Sequence, residues 1–240
     1  MSDAESNDAK ILRSWSRNAA PWVTAVREHQ IESRRLITDG AIVDAVLALS
    51  PTTALDIRCG EGWLARALDA HDVKVIGVDA TPTLIEEATG AGGGDFRLLL
   101  YEEIAAGILD VSVDAIVCNF SLFGRESVES LIKALSTLLN PRGALVVQTL
   151  HPHAFCGEAP YRDGWRSGSW DGFGSEFADP APWYFRTLES WMRLFRHNGF
   201  RDIDIYEPIH PRKRQPASII FVARPALPSA DAPRRSPSLA

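Results

Sequence analysis

Cysteine is scarce in this chain. Only Cys59, Cys118 and Cys156 occur in 240 residues, at no metal-ligand spacing. That excludes a disulfide framework and a zinc ribbon, and points to a reducing, cytoplasmic setting. Positive charge is scarce too. Lys and Arg number 25 against 31 Asp and Glu, for a formal net charge of −6. The one basic cluster, "RKRQ" at 212–215, reads as a solvated hairpin turn. Without a basic face, broad nucleic-acid binding is excluded. No apolar run approaches the roughly 20 residues of a membrane span. The start of the chain, "MSDAESNDAK", is polar and acidic, unlike a secretory signal or an Arg-rich transit peptide. There is no internal repeat.

What is present is an alternation of strand-like and helix-like segments. Residues 10–36 read as helical, with Pro21 expected to split them, and 40–49 as a second helix closed by Pro51. "TALDI" reads as a strand that turns at 58–62 into a helix running to Leu68. "VKVIGVD" is a second strand, ending at Asp79. A helix over 82–89 follows, with Thr81 as N-cap and Pro82 in its first turn, and "GAGGG" is expected to break it. "FRLLL" and "VDAIVCNF" give strands three and four. Over 127–139, Val128, Leu131, Ile132, Leu135, Leu138 and Leu139 form one apolar stripe. "NPRG" reads as a turn before strand five, "ALVVQTL". Thr187 caps a helix over 188–198, and "DIDIYEP" and "ASIIFVAR" close the chain as an antiparallel pair. The alternation over 53–150 predicts an α/β fold with a doubly wound parallel sheet. Ligands of such sheets bind outside the carboxyl ends of the strands.

The glycine turn in "LDIRCGEG" (55–62) sits at such an end. Without a Cβ, the backbone there can approach a ligand closely. Asp79 lies 19 residues after Gly60, a spacing that suits a carboxylate accepting hydrogen bonds from a ribose diol. Two ligand classes fit. Gly60, Gly62 and Ala65 satisfy the dinucleotide spacing G-x-G-x-x-G/A, which would make the chain an NAD(P)-dependent oxidoreductase. S-adenosylmethionine also needs a glycine turn but no pyrophosphate cradle. Asp56 before the turn, helical segments before the first strand, and the closing antiparallel pair favour the second.

On these motifs the chain resembles the class I S-adenosylmethionine-dependent methyltransferases over about residues 40–224. "LDIRCGEG" is similar to the family's glycine motif and "VIGVDA" to its ribose-acid strand. "VDAIVCNFSLFG" and "LLNPRGALVVQTLHP" match its fourth and fifth strands. The resemblance implies a Rossmann-like seven-stranded sheet, mostly parallel with an antiparallel last strand, helices on both faces. It implies that Asp56, Gly60 and Gly62 line the methionine end of the cofactor and that Asp79 holds the ribose. Ala80, Tyr101 and Glu102 would lie near the adenine, and Asn119 and Phe120 beside the reactive methyl. Arg58 departs from the pattern, since the family has glycine there. Its side chain is expected to point to solvent or to the cofactor's carboxylate, or to impair binding, which leaves a non-catalytic cofactor-binding protein as an alternative. Arg34 and Arg35 either bind the cofactor's carboxylate or form a solvated helix face.

The acceptor side follows from position. Residues 151–186 hold many aromatics and glycines and little periodicity. They are expected to form a lid in which Trp165, Trp170, Phe173, Trp183 and Tyr184 wall a pocket for an apolar or aromatic small molecule. Residues 1–39, with Trp15 and Trp22, would form a helical cap on the other side, and 225–240 a disordered tail. His151 or His153, just past strand five, is the expected general base, with Glu158 and Asp163 behind them. A metal site at the two histidines is not expected. "NFSL" lacks the Pro-Pro-aromatic run of DNA amino-methylating enzymes. The sequence therefore predicts a methyl transfer to oxygen or nitrogen of a small molecule, by a monomer or homodimer.

Overall fold

The computed structural model describes residues 5–226. Seven strands form one sheet: β1 (Thr53–Ile57), β2 (Lys74–Asp79), β3 (Asp95–Leu98), β4 (Val113–Asn119), β5 (Leu139–Thr149), β8 (Phe200–Tyr206) and β9 (Ile219–Pro225). Their order is β3-β2-β1-β4-β5-β9-β8, with β9 alone antiparallel to its neighbours. Two short strands, β6 (Gly164–Arg166) and β7 (Trp183–Phe185), form a separate antiparallel ribbon within the 151–186 segment.

The period-2 alternation of the central strands separates two cores. Leu55, Ile116, Leu145, Val147 and Phe221 face one side, where α6 (Tyr101–Ala105), α7 (Glu126–Leu135) and α8 (Leu188–His197) pack. Ala54, Val117, Val146 and Val222 face the other, against α3 (Asp39–Leu47) and α4 (Trp63–Asp69). Both faces of these strands are therefore buried, which is why they read as near-continuous apolar runs. The order reverses between β1 and β4, so the crevice of the sheet opens at their carboxyl ends.

Several expectations move by a few residues for identifiable reasons. The N-terminal helices α1 (Asn7–Arg17) and α2 (Ala19–Arg27) part at Asn18, not at Pro21. Pro21 sits in the first turn of α2, where a missing N–H costs nothing. The helix α5 (Pro82–Ala91) runs through Gly90 and ends at Gly92, whose φ is +76°. "NPRG" is no free turn. Leu139 pairs with Val113 and Ala144 with Ala115, so residues 140–143 bulge within β5. Pro225, the first residue of the expected tail, closes β9; the tail's residues 227–240 lie outside those described.

Asp114 anchors that bulge. Its Oδ2 accepts from the backbone N–H groups of Thr52 and Thr53 at 2.9 and 3.1 Å and from their hydroxyls at 2.7 and 3.1 Å. Its Oδ1 accepts from Asn140 Nδ2 at 2.7 Å. The Asn140 amide, then the Thr52 contacts, hold its carboxyl well below the usual carboxylate range.

A second fastener closes the fold over the crevice. Asn18 is fully buried, and its amide donates to Ala178 O at 2.7 Å and accepts from Ala178 N at 2.9 Å. Ser14 Oγ donates to Asp179 O at 2.5 Å and Trp170 Nε1 to Ala178 O at 3.0 Å. Trp15 meets Trp22 and Trp170 edge-on at 5.1 and 5.9 Å. The N-terminal helices and the 151–186 segment thus form one roof.

Two outcomes follow. Asp114→Asn lowers unfolding stability at pH 7 by about 1.5–3 kcal/mol, the range for hydrogen bonds to a charged group, read by urea titration. Because the folded-state value is depressed, the deficit is full above the unfolded carboxyl's pKa of about 4 and shrinks as pH falls below it. Asn18→Ala strips Ala178 N–H of its partner, at a cost of about 1–3 kcal/mol. Hydrogen exchange at Ala178 and proteolysis within 167–182 then accelerate, while the sheet amides keep their protection.

Candidate active site

The turn after β1 is laced to β2. Arg58 and Cys59 N–H both donate to Val78 O, at 2.7 and 3.1 Å. Asp79 completes the tie: Oδ2 accepts from Gly60 N–H at 3.1 Å and Oδ1 from Thr81 N–H at 2.9 Å. Gly60 has φ +59°, and a Cβ there would meet only Trp22 Nε1, at 3.7 Å, so its face is open. Gly62 also lies at positive φ, but a Cβ there would strike Phe96 at 2.8 Å. Packing against Phe96 and Ala88 therefore requires glycine there.

The open face borders a cavity of about 400 Å³ at the tips of β1, β2 and β4, within the usual span of small-molecule sites. Of the ten expected cofactor residues, seven line it: Arg58, Gly60, Asp79, Tyr101, Glu102, Asn119 and Phe120. Phe120 is held at φ +49°, a left-handed position rare for an aromatic residue, and such strain concentrates at ligand sites.

Arg58 does not extend into solvent; its side chain is 18% exposed. Its own backbone is left-handed, at φ +64°. The guanidinium lies 4.5 Å from the Tyr101 ring centroid and 3.8 Å from Asp79 Oδ1. Burial, then the Asp79 charge, push the Asp56 carboxyl up to about 7. Burial also pushes the Cys59 thiol and the Tyr101 phenol up, so both stay neutral near pH 7.

The cavity contains polar atoms without partners. Arg34 sits in a π-helical turn, Arg34–Thr38, a geometry frequent at functional sites. Its Nε bonds Asp39 at 2.9 Å and its plane lies 4.7 Å from the Trp63 centroid. Arg34 Nη2, Thr38 Oγ1, Asn119 Oδ1 and Ser121 Oγ are buried with no hydrogen bond among the described residues. Buried polar atoms of this kind are costly unless a ligand or water satisfies them. Arg35, by contrast, is exposed.

Other expected residues stand elsewhere. Asp56, Gly62 and Ala80 do not line the cavity. Asp56 is 2% exposed inside the sheet. Neither histidine reaches the cavity. His151 is buried, with Nδ1 accepting from Ala154 N–H at 3.2 Å and Nε2 against Glu207 Oε1 at 2.6 Å, so both ring nitrogens are spent. His153 is exposed and stacks on Tyr161 at 4.3 Å. Glu158 is exposed, and Asp163 accepts from Thr187 N–H at 2.8 Å at the start of α8. The end of strand five reaches the cavity through Leu150, but the two histidines that follow turn away from it. Among the lid aromatics, Trp170, Phe173 and Trp183 line the cavity, while Trp165 and Tyr184 pair with each other at 5.4 Å across the β6–β7 ribbon. Asp8 and Trp63 line it unforeseen.

Comparison with known proteins matches this geometry. The methyltransferase domain family matches residues 29–205. An uncharacterized methyltransferase of Mycobacterium tuberculosis is 31% identical over 110 residues, covering 45% of this chain and 56% of the relative. A ubiquinone biosynthesis O-methyltransferase of Xanthomonas campestris is 32% identical over 120 residues, 47% of this chain and 50% of that one. The chain thus spans about half the length of the curated relatives it matches. Among solved structures, an S-adenosylmethionine-dependent methyltransferase of Mesorhizobium loti superposes with a TM-score of 0.57 at 20% identity, over 78% of this chain and 99% of the other. The DhpI–SAM–HEP complex does so with 0.64 at 14%, over 93% and 100%. The family match decides against a dinucleotide-dependent oxidoreductase. With the sheet order, the glycine turn tied to Asp79 and a family match over most of its length, this chain belongs to the methyltransferase domain family, on the class I S-adenosylmethionine-dependent fold.

Proposed function

We propose that this protein transfers a methyl group from S-adenosylmethionine to an oxygen or nitrogen of a small molecule. The observation that carries the reading is the row of unsatisfied groups along one cavity. Arg34 Nη2 and Thr38 Oγ1 suit the carboxylate of the cofactor's amino-acid end, and Gly60 lets it pass close to the backbone. Asp79 suits the ribose, and Tyr101 a position beside the base. Asn119 Oδ1, unpartnered at the β4 tip, suits a place beside the methyl. When bound, the sulfonium supplies an electrophilic methyl. The protein's part is to exclude water and hold the acceptor in line. The aromatic roof, with Trp15, Trp170 and Trp183, suits an acceptor with an apolar or aromatic body.

Arg58 supports a second reading, a cofactor-binding protein with little turnover, because its guanidinium occupies space between Asp79 and Tyr101. Titration calorimetry with S-adenosylhomocysteine and with NADH tests the first. Binding of the former near the micromolar range, about 8 kcal/mol, and none of the latter is expected; the reverse overturns it.

Arg58→Gly separates the two readings. It frees the Asp79 carboxylate, and S-adenosylhomocysteine binding tightens up to about tenfold, or 1.4 kcal/mol. Weaker binding would make Arg58 a ligand contact. Stability reports on the backbone. A left-handed non-glycine residue costs about 1–2 kcal/mol, and a cation–π contact returns about 0.5–1. Arg58→Gly is therefore near neutral in thermal unfolding, and Arg58→Ala, which keeps the strain and loses the contact, is the less stable variant.

A further inference from the structure

Whether the acceptor presents oxygen or nitrogen turns on the cavity wall beyond Asn119. Three carboxylates line the cavity: Asp8, Asp79 and Glu102. Asp79 is engaged by two backbone N–H groups, and Glu102 is exposed. Asp8, in the first turn of α1, is different. Its Oδ1 is buried and accepts no hydrogen bond among the described residues. It faces the segment that follows β4: a Cβ on Gly124 would lie 2.5 Å from Asp8 Oδ1 and 2.2 Å from Ser127 Oγ. Two turns along α1, Trp15 stacks on Phe123 at 6.3 Å. The Asp8 carboxyl, its Oδ1 without a hydrogen bond among the described residues and only Ser127 beside it, thus stands in an aromatic wall, next to the loop that follows Asn119 and carries Ser121.

We propose that Asp8 is the acceptor-binding carboxylate of this site, and that the acceptor is an amine on an apolar or aromatic body, bound as its ammonium and methylated at nitrogen. The inference rests on the methyltransferase reading above and selects one of its two branches. The local field carries the choice. Glu102 and Glu126 add negative charge around Asp8, so a phenolate or alkoxide would be repelled there and an ammonium attracted. Aromatic faces add to that attraction. Burial raises the Asp8 carboxyl, against a lowering by the neighbouring Ser127.

The step balances. The ammonium gives one proton to Asp8, and the freed nitrogen lone pair forms a bond to the methyl carbon. The carbon–sulfur bond breaks with its pair left on sulfur, giving a secondary ammonium and a neutral thioether. Asp8 returns its proton to solvent when the roof opens.

The test compares binding of isosteric pairs to the full chain, with and without saturating S-adenosylhomocysteine. Benzylamine, phenethylamine and tryptamine are each set against the alcohol of the same skeleton by calorimetry. At least one amine is expected to bind about tenfold or more tightly than its alcohol. In Asp8→Asn that ratio falls to about one, with the affinities for the alcohol and for S-adenosylhomocysteine kept. Asp8→Ser repeats the measurement should the first variant fold poorly. Equal affinities within every pair, an unchanged ratio in the variants, or no probe bound while S-adenosylhomocysteine binds would overturn the proposal and leave the methyltransferase reading intact. Failure of S-adenosylhomocysteine to bind would remove the cofactor reading, and the amine-to-alcohol ratio would still be read without it.

Discussion

The Asp79 carboxylate is the constraint on which the site depends. It accepts the Gly60 and Thr81 N–H groups, one from each of two adjacent strand-to-helix turns. Hydrogen bonds from backbone N–H to a carboxylate are short, strong and directional. They fix the glycine turn against β2 and hold the first turns of α4 and α5 in register. With that register set, Gly60 faces the crevice, and Gly62 is pressed against Phe96. A carboxylate that already builds the turn can still receive a sugar hydroxyl, because each oxygen has a second lone pair.

Above this floor, the roof is assembled from segments far apart in the chain. Asn18 and Ala178 are 160 residues distant, and their paired hydrogen bonds resemble a single rung of sheet. The rung needs no regular strand on either side. It lets a glycine-rich segment with no core of its own be held by aromatic contacts and one buried amide. A roof closed by few bonds can also open at modest cost, as exchange of cofactor and product requires.

Much of this was legible in the sequence. Apolar runs at β1, β4 and β5 gave the sheet because both faces of these strands are buried. The glycine turn and Asp79 were legible because a strand end, a glycine and an acid at fixed spacing are local features. The direction of the histidines was not. His151 comes two residues after β5, yet its orientation is set by Ala154 and by Glu207, 56 residues on. Asp8 carried no signal either. An acid in a helix's first turn is ordinary, and only the packing of α1 against the Gly124 segment turns it into the cavity. Pro21 misled for a related reason: the rule against proline in helices lapses in the first turn, and nothing local marks where that turn begins.

Arg58 can be understood from the same electrostatics. Burial, and then the charge of Asp79, oppose ionisation of Asp56. The Arg58 guanidinium lies 3.8 Å from Asp79 Oδ1. A glycine at this turn would take the left-handed form freely, but would bring no charge. Here the chain carries its own cation to the spot, at the cost of a strained φ, and steadies it on the Tyr101 face. A guanidinium so placed favours the closed, preformed turn before any ligand arrives. It also competes with a cationic ligand for the same field, so affinity for S-adenosylmethionine, which carries the sulfonium charge, should suffer more from Arg58 than affinity for the neutral thioether product. The residue that stabilises the site thereby tilts it toward its product.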